Sequence, residues 1–120
     1  MTVRNDAFKD RLSRAREITI RVVGRKSGRS ISNPVWFVWD EDKLYLLPVQ
    51  GSDTQWYKNV VENPSIRIAA NGAEAEFKPT LIVDKRQVAS VVEKFRGKYG
   101  VGDVKKYYSK FDAAVVAHMR

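Results

Sequence analysis

The sequence predicts a mainly β protein: a small antiparallel barrel of about six strands with peripheral helices. Three observations carry this. β-Branched and aromatic runs recur along the chain, beginning with Ile18-Thr19-Ile20-Arg21-Val22-Val23. Polar or glycine-rich turns separate them, most clearly Asn71-Gly72. Helical periodicity is confined to stretches at about 5–16, 55–62 and 84–99, with one short turn of helix beyond. A length of 120 residues suits a single domain with one core, spanning 1–120.

Asn5 or Asp6 caps the first helix, on which Phe8, Leu12 and Ala15 form a narrow apolar stripe. Two large apolar residues make a thin membrane anchor, which favours packing against the domain or a partner subunit. Strands follow at about 17–24 and 31–39. Asp40-Glu41-Asp42-Lys43 is a hairpin turn, and Leu44-Tyr45-Leu46-Leu47 resumes a strand. Asp53 or Thr54 caps a helix over 55–62, stopped by Asn63-Pro64. Residues 65–70 and 73–83 form a hairpin about Asn71-Gly72. Asp84 caps a helix whose face is Val88, Val91, Val92 and Phe95, and Gly100 stops it. A short helix at 104–108 follows. In the tail Ala113–Met119 the alanines favour helix, but the paired valines favour a closing strand, and strand is the reading adopted.

Composition narrows the function. Cysteine is absent, which excludes disulfides, thiolate metal sites and a cysteine nucleophile. No apolar run approaches the ~20 residues of a membrane span. Residues 1–16 lack a signal-peptide core, so a cytoplasmic location is expected. Residues 1–29 carry nine cations against three carboxylates, +6 of the net +8. Such a field attracts phosphorylated small molecules, anionic lipid or nucleic acid, although it also suits an ordinary solvated surface. No recognised RNA-binding signature accompanies it, and nucleic acid is the weakest of these readings.

The stretch richest in chemistry is Gly24-Arg25-Lys26-Ser27-Gly28-Arg29, a turn between two strands. Its cations, hydroxyl and glycine backbone suit a phosphate oxygen. Gly51-Ser52-Asp53-Thr54 opens a helix, whose N-terminus favours anions, although capping by Asp53 explains it equally. Trp36, Trp39, Trp56 and Tyr57 either pack in the core or line a flat cleft for a planar ring. The one histidine, His118, lies in the apolar tail strand and reads as structural. No His/Asp/Glu spacing indicates a metal, and neither a Walker loop nor a dinucleotide fingerprint is present. With no acid–base machinery evident, a phosphorylated cofactor would carry any chemistry.

In their order, Gly24–Arg29, Pro34-Val35-Trp36-Phe37-Val38, Leu44-Tyr45-Leu46, Trp56-Tyr57-Lys58-Asn59 and Asn63-Pro64 resemble the deazaflavin-dependent nitroreductase family, one of the flavin-binding split β-barrels. The resemblance covers about residues 18–83. It implies a six-stranded antiparallel split barrel and a homodimer with clefts at the subunit interface. It implies hydride transfer from reduced coenzyme F420 to a quinone, nitroaromatic or other small electron acceptor. FMN is the alternative cofactor, and a planar-ligand binder without turnover is the alternative function. Lys26 and Ser27 match the phosphate-binding turn, in which Arg25 and Arg29 are further candidates. Pro34 and Val35 match the strand beside the ring, and Asn33 before them is a further candidate. Gly51 and Ser52 match the loop whose N–H groups meet the cofactor, with Gln50 before them a further candidate, and Trp56 and Asn59 match the flanking helix. Where the family usually has cations, this chain has Ile31 and Gln50, leaving Lys26 with Arg25 or Arg29 to replace the others. Tyr45, Tyr57, Ser52 or solvent would supply a proton.

Overall fold

The computed structural model describes residues 3–119. In chain order the elements are α1 (Val3–Arg14), β1 (Ile18–Val23), β2 (Ser30–Val35), β3 (Phe37–Asp40), β4 (Lys43–Leu46), a 3-10 turn (Gly51–Asp53), α2 (Gln55–Glu62), β5 (Ile66–Ala70), β6 (Ala73–Ile82), α3 (Lys85–Tyr99), α4 (Val101–Tyr107) and β7 (Ala114–Met119). All pairs are antiparallel, in the order β2-β1-β5-β6-β7-β4-β3.

The two edge strands, β2 and β3, are separated in sequence by Trp36 alone. In a flat sheet, seven strands would put the edges about 29 Å apart, at about 4.8 Å per step. The Cα atoms of Val35 and Phe37 can be separated by at most about 7 Å. The sheet must therefore curl until its edges meet at Trp36, which gives the split barrel.

Seven strands replace the six expected because the strand read over 31–39 breaks at this corner. Side chains from α3 hold the corner. The Tyr99 hydroxyl accepts from the Phe37 N–H at 3.1 Å and donates to the Arg16 carbonyl at 2.7 Å. Lys98 Nζ donates to the carbonyls of Phe37, at 2.8 Å, and Ala15, at 3.3 Å.

The core has two layers. Inside the curl, Phe37, Leu44, Ile66, Ile68, Phe77 and Val115 meet Phe8 and Leu12 of α1 and Trp56 and Val60 of α2. The apolar stripe of α1 is thus buried in its own chain, against β5 and β6. Outside, Val88, Val91, Val92 and Phe95 of α3 cover Leu47 and Ala114, with Val38 and Tyr45 packed alongside.

Local signals placed most boundaries well. Asn71 and Gly72 are both left-handed, at φ 47° and 84°, as the tight hairpin requires. Asp84 caps α3 by accepting from the Gln87 N–H at 3.1 Å. α1 begins earlier than its expected caps, and α4 begins at Val101 rather than 104 because Gly100 serves both as the end of α3 and the start of α4. The tail is a strand, inserted between β6 and β4. Among the described residues no helix is long and apolar enough to cross a membrane.

Candidate functional site

The β1–β2 turn closes through Gly24 N–H to the Arg29 carbonyl, at 2.8 Å, and Gly28 N–H to the Gly24 carbonyl, at 2.9 Å. Gly28 sits at φ 70°, and a Cβ on Gly24 would lie 2.6 Å from Ser27 Oγ. Gly28 is therefore demanded by the turn itself, whereas a side chain at Gly24 would have to displace the Ser27 hydroxyl. Asn59 of α2, buried at 5% exposure, moors it. Asn59 Oδ1 accepts from the Arg25 backbone N–H at 3.1 Å and from its guanidinium at 2.7 Å. The same guanidinium donates to Gln55 Oε1 at 2.8 Å. Both partners are neutral amides, so they fix the guanidinium without cancelling its charge. Lys26 is left exposed beside it.

This turn forms one wall of a hollow of about 350 Å³, shared with Ile31, Asn33, Gln55, Trp56 and Asn59. A neighbouring hollow of about 420 Å³ lies between Pro34-Val35-Trp36 and the side chains of Trp56, Tyr107 and Tyr108. Asn33 and Trp56 line both, so the two compartments adjoin, one basic and the other aromatic. Trp36 is braced from behind, stacked on Tyr99 at 4.2 Å with the ring planes 7° apart, and meets Tyr107 edge-on at 5.5 Å. Burial, with a smaller contribution from Tyr99, raises the Tyr108 phenol far above its usual range, so it stays protonated.

Of the twelve candidates, Arg25, Lys26, Ser27, Asn33, Trp56 and Asn59 meet in the basic compartment, and Pro34 and Val35 join the aromatic one. Arg29 is exposed on the turn and lines neither; its N–H donates to Ser27 Oγ at 3.2 Å.

Gln50, Gly51 and Ser52 also lie outside both linings, although Val49 and Thr54 on either side belong to the aromatic compartment. The loop turns its polar groups to Asp112 instead. Ser52 donates to that carboxylate through its N–H at 2.8 Å and its hydroxyl at 2.5 Å. These bonds, with Lys110 nearby, hold the Asp112 carboxyl below the usual carboxylate range. Capping by Asp53 does not occur: it pairs with Lys110 at 3.1 Å, while Thr54, at the N-cap of α2, accepts from the Gln50 N–H at 2.8 Å.

The expected proton donors are elsewhere. Tyr45 lies on the outer face under Lys94, and Tyr57 and Ser52 line a separate hollow with Lys58. Tyr107, Tyr108 and Glu17 of the aromatic compartment were not anticipated. The paired tyrosines at the end of a short helix were the one available signal.

The family described as "Uncharacterized protein conserved in bacteria (DUF2255)" matches residues 9–118. No curated protein matches the chain. Among solved structures, an F420-H2-dependent reductase superposes with a TM-score of 0.67 at 15% identity, covering 86% of this chain and 94% of that one. A putative pyridoxamine 5'-phosphate oxidase from Listeria innocua gives 0.68 at 14%, covering 96% and 90%. The heme storage protein HutZ from Vibrio cholerae gives 0.71 at 11%, covering 96% and 87%. At these identities the likeness is one of fold: a split barrel of the pyridoxamine-phosphate-oxidase type.

Proposed function

The chain belongs to the DUF2255 family, and we propose that its cleft binds a planar cofactor with a phosphate-bearing tail, a deazaflavin of the coenzyme F420 type, for the reduction of a small electrophile. The observation that carries this reading is the pairing of two adjoining hollows, an aromatic one that shares Asn33 and Trp56 with one walled by a cationic turn. Its size is within the ordinary range for small-molecule sites. A reduced deazaflavin would supply a hydride from its ring. Pro34, Val35 and Trp36 form one wall for the ring and Trp56 another. Lys26 and the fixed charge of Arg25 hold the phosphate. Tyr108, kept protonated, offers the compartment an O–H donor. FMN would fit the same division of ring and phosphate.

The test is gel filtration of the protein after mixing with coenzyme F420 and, separately, with FMN, followed by absorption spectra of the protein peak. Co-elution with one of them supports the reading; elution of both apart from the protein rejects it. Bound cofactor that reduces neither quinone nor nitroaromatic dyes would make the protein a carrier. Lys26→Ala should weaken cofactor binding about ten- to a hundredfold, the value of one charge-assisted contact. Fluorescence titration reads that change, and an unchanged affinity in a folded variant would place the phosphate elsewhere.

A further inference from the structure

On the opposite side of the sheet, a groove of about 330 Å³ runs between α3 and the outer face of β4, β6 and β7. It shares no lining residue with the cleft. We propose that it is a second ligand site, for a small organic anion whose carboxylate is attached to an apolar body. Its floor is apolar, made by Ile82, Val91 and Val116, with the Tyr45 ring beside them. Its polar side carries two ammonium groups, Lys43 of β4 and Lys94 of α3, which converge there with the His118 ring of β7 and the hydroxyls of Thr80 and Ser90.

One carboxylate, Asp40, faces this group and bonds Lys94 Nζ at 2.8 Å. A second, Glu41, acts on Lys94 only through space. Asp42 is drawn away to Lys9 at 3.3 Å. Lys94 keeps two further N–H donors, and Lys43 and His118 are exposed. The chemistry of the lining selects the ligand. A hydrated phosphate would gain nothing from the apolar floor. A neutral apolar molecule would leave the cations unused. A carboxylate on a hydrocarbon body buries its carbon against the floor and keeps its charge at the wet rim.

The probe is benzoate, with benzyl alcohol and inorganic phosphate for comparison. Each is titrated into the isotope-labelled full chain and followed by amide and His118 ring resonances. Benzoate should give saturable shifts in β4, α3 and β7, with benzyl alcohol at least about tenfold weaker. Lys43→Met should weaken benzoate about two- to fivefold, the scale of an exposed charge contact, and His118→Gln should weaken it too by removing the ring from the rim, with unchanged melting temperatures. Shifts that do not saturate, that phosphate reproduces equally, that the alcohol matches, or that survive both substitutions would overturn the proposal. Shifts confined to the Trp36 compartment would overturn it as well. Apart from that last outcome, these results do not bear on the cofactor cleft, whose residues are separate.

Discussion

Arg25 is held by amides and not by carboxylates, and that distinction is testable. Asn59→Asp keeps the shape of the mooring but places a negative charge against the guanidinium. Affinity for a phosphorylated cofactor should fall about tenfold. Binding of a phosphate-free analogue such as riboflavin should not change, and an equal loss for both would make Asn59 merely structural. Gly51 is constrained for a different reason. It sits at φ 55°, and a Cβ there would lie 2.1 Å from Asp112 Oδ1. Gly51→Ala should cost on the order of 1–3 kcal/mol, read as a lower denaturant midpoint, because left-handed strain adds to the broken Ser52–Asp112 contact. The same pair marks a limit of sequence reading. The turn at 24–29 was legible because its chemistry is contiguous. The fate of the Gly51–Ser52 loop was not, because the carboxylate that takes its N–H stands sixty positions further on. Tyr107, Tyr108 and Glu17 escaped for a similar reason, since only the closed fold carries them to Trp36.

Among the elements, α3 does more than cover a sheet face. Its last turn fixes the β2–β3 corner through Lys98 and Tyr99, and with it the back of the Trp36 wall. Although the Lys98 side chain is largely exposed, its ammonium lies 3.6 Å from the centre of the Phe37 ring. Burial, and then Arg16, lower its pKa from 10.5 to about 8. A lysine depressed in the folded state binds its proton more weakly there than in the unfolded chain. Its contribution to stability is therefore complete above about 10.5 and is lost as pH falls through about 8. Relative to Lys98→Met, the wild-type protein should gain stability between pH 8 and 10.5, measured as a rising urea midpoint. A flat difference would mean that the carbonyl bonds and the ring contact offset the burial. Hairpins and caps were readable because they are local, as Asn71-Gly72 and Asp84 show. β7 was ambiguous because Ala114, Val115 and Ala117 are fully buried in mid-sheet, so neither face alternates with solvent.

For the whole molecule, the cleft is walled by one chain on some sides only, and β2 presents an exposed edge. An unpaired strand edge beside an open site is a surface that folded proteins tend to cover. We expect a homodimer, with the second copy completing the cleft. Light scattering at micromolar concentration checks this: a monomer that still binds cofactor would sink it. The sheet order has a different implication, one of timing. β7 is the last of the described strands along the chain, yet it stands between β6 and β4 and joins them. Until it is made, synthesis leaves two sheet pieces, β2-β1-β5-β6 and β4-β3, joined only through the Trp36 corner, with the β6 and β4 edges open. The barrel cannot be assembled vectorially; its keystone follows every other described strand out of the ribosome. A nascent chain stalled before Ala113 should consequently remain protease-sensitive and prone to capture by chaperones, even though its six earlier strands have already been synthesised.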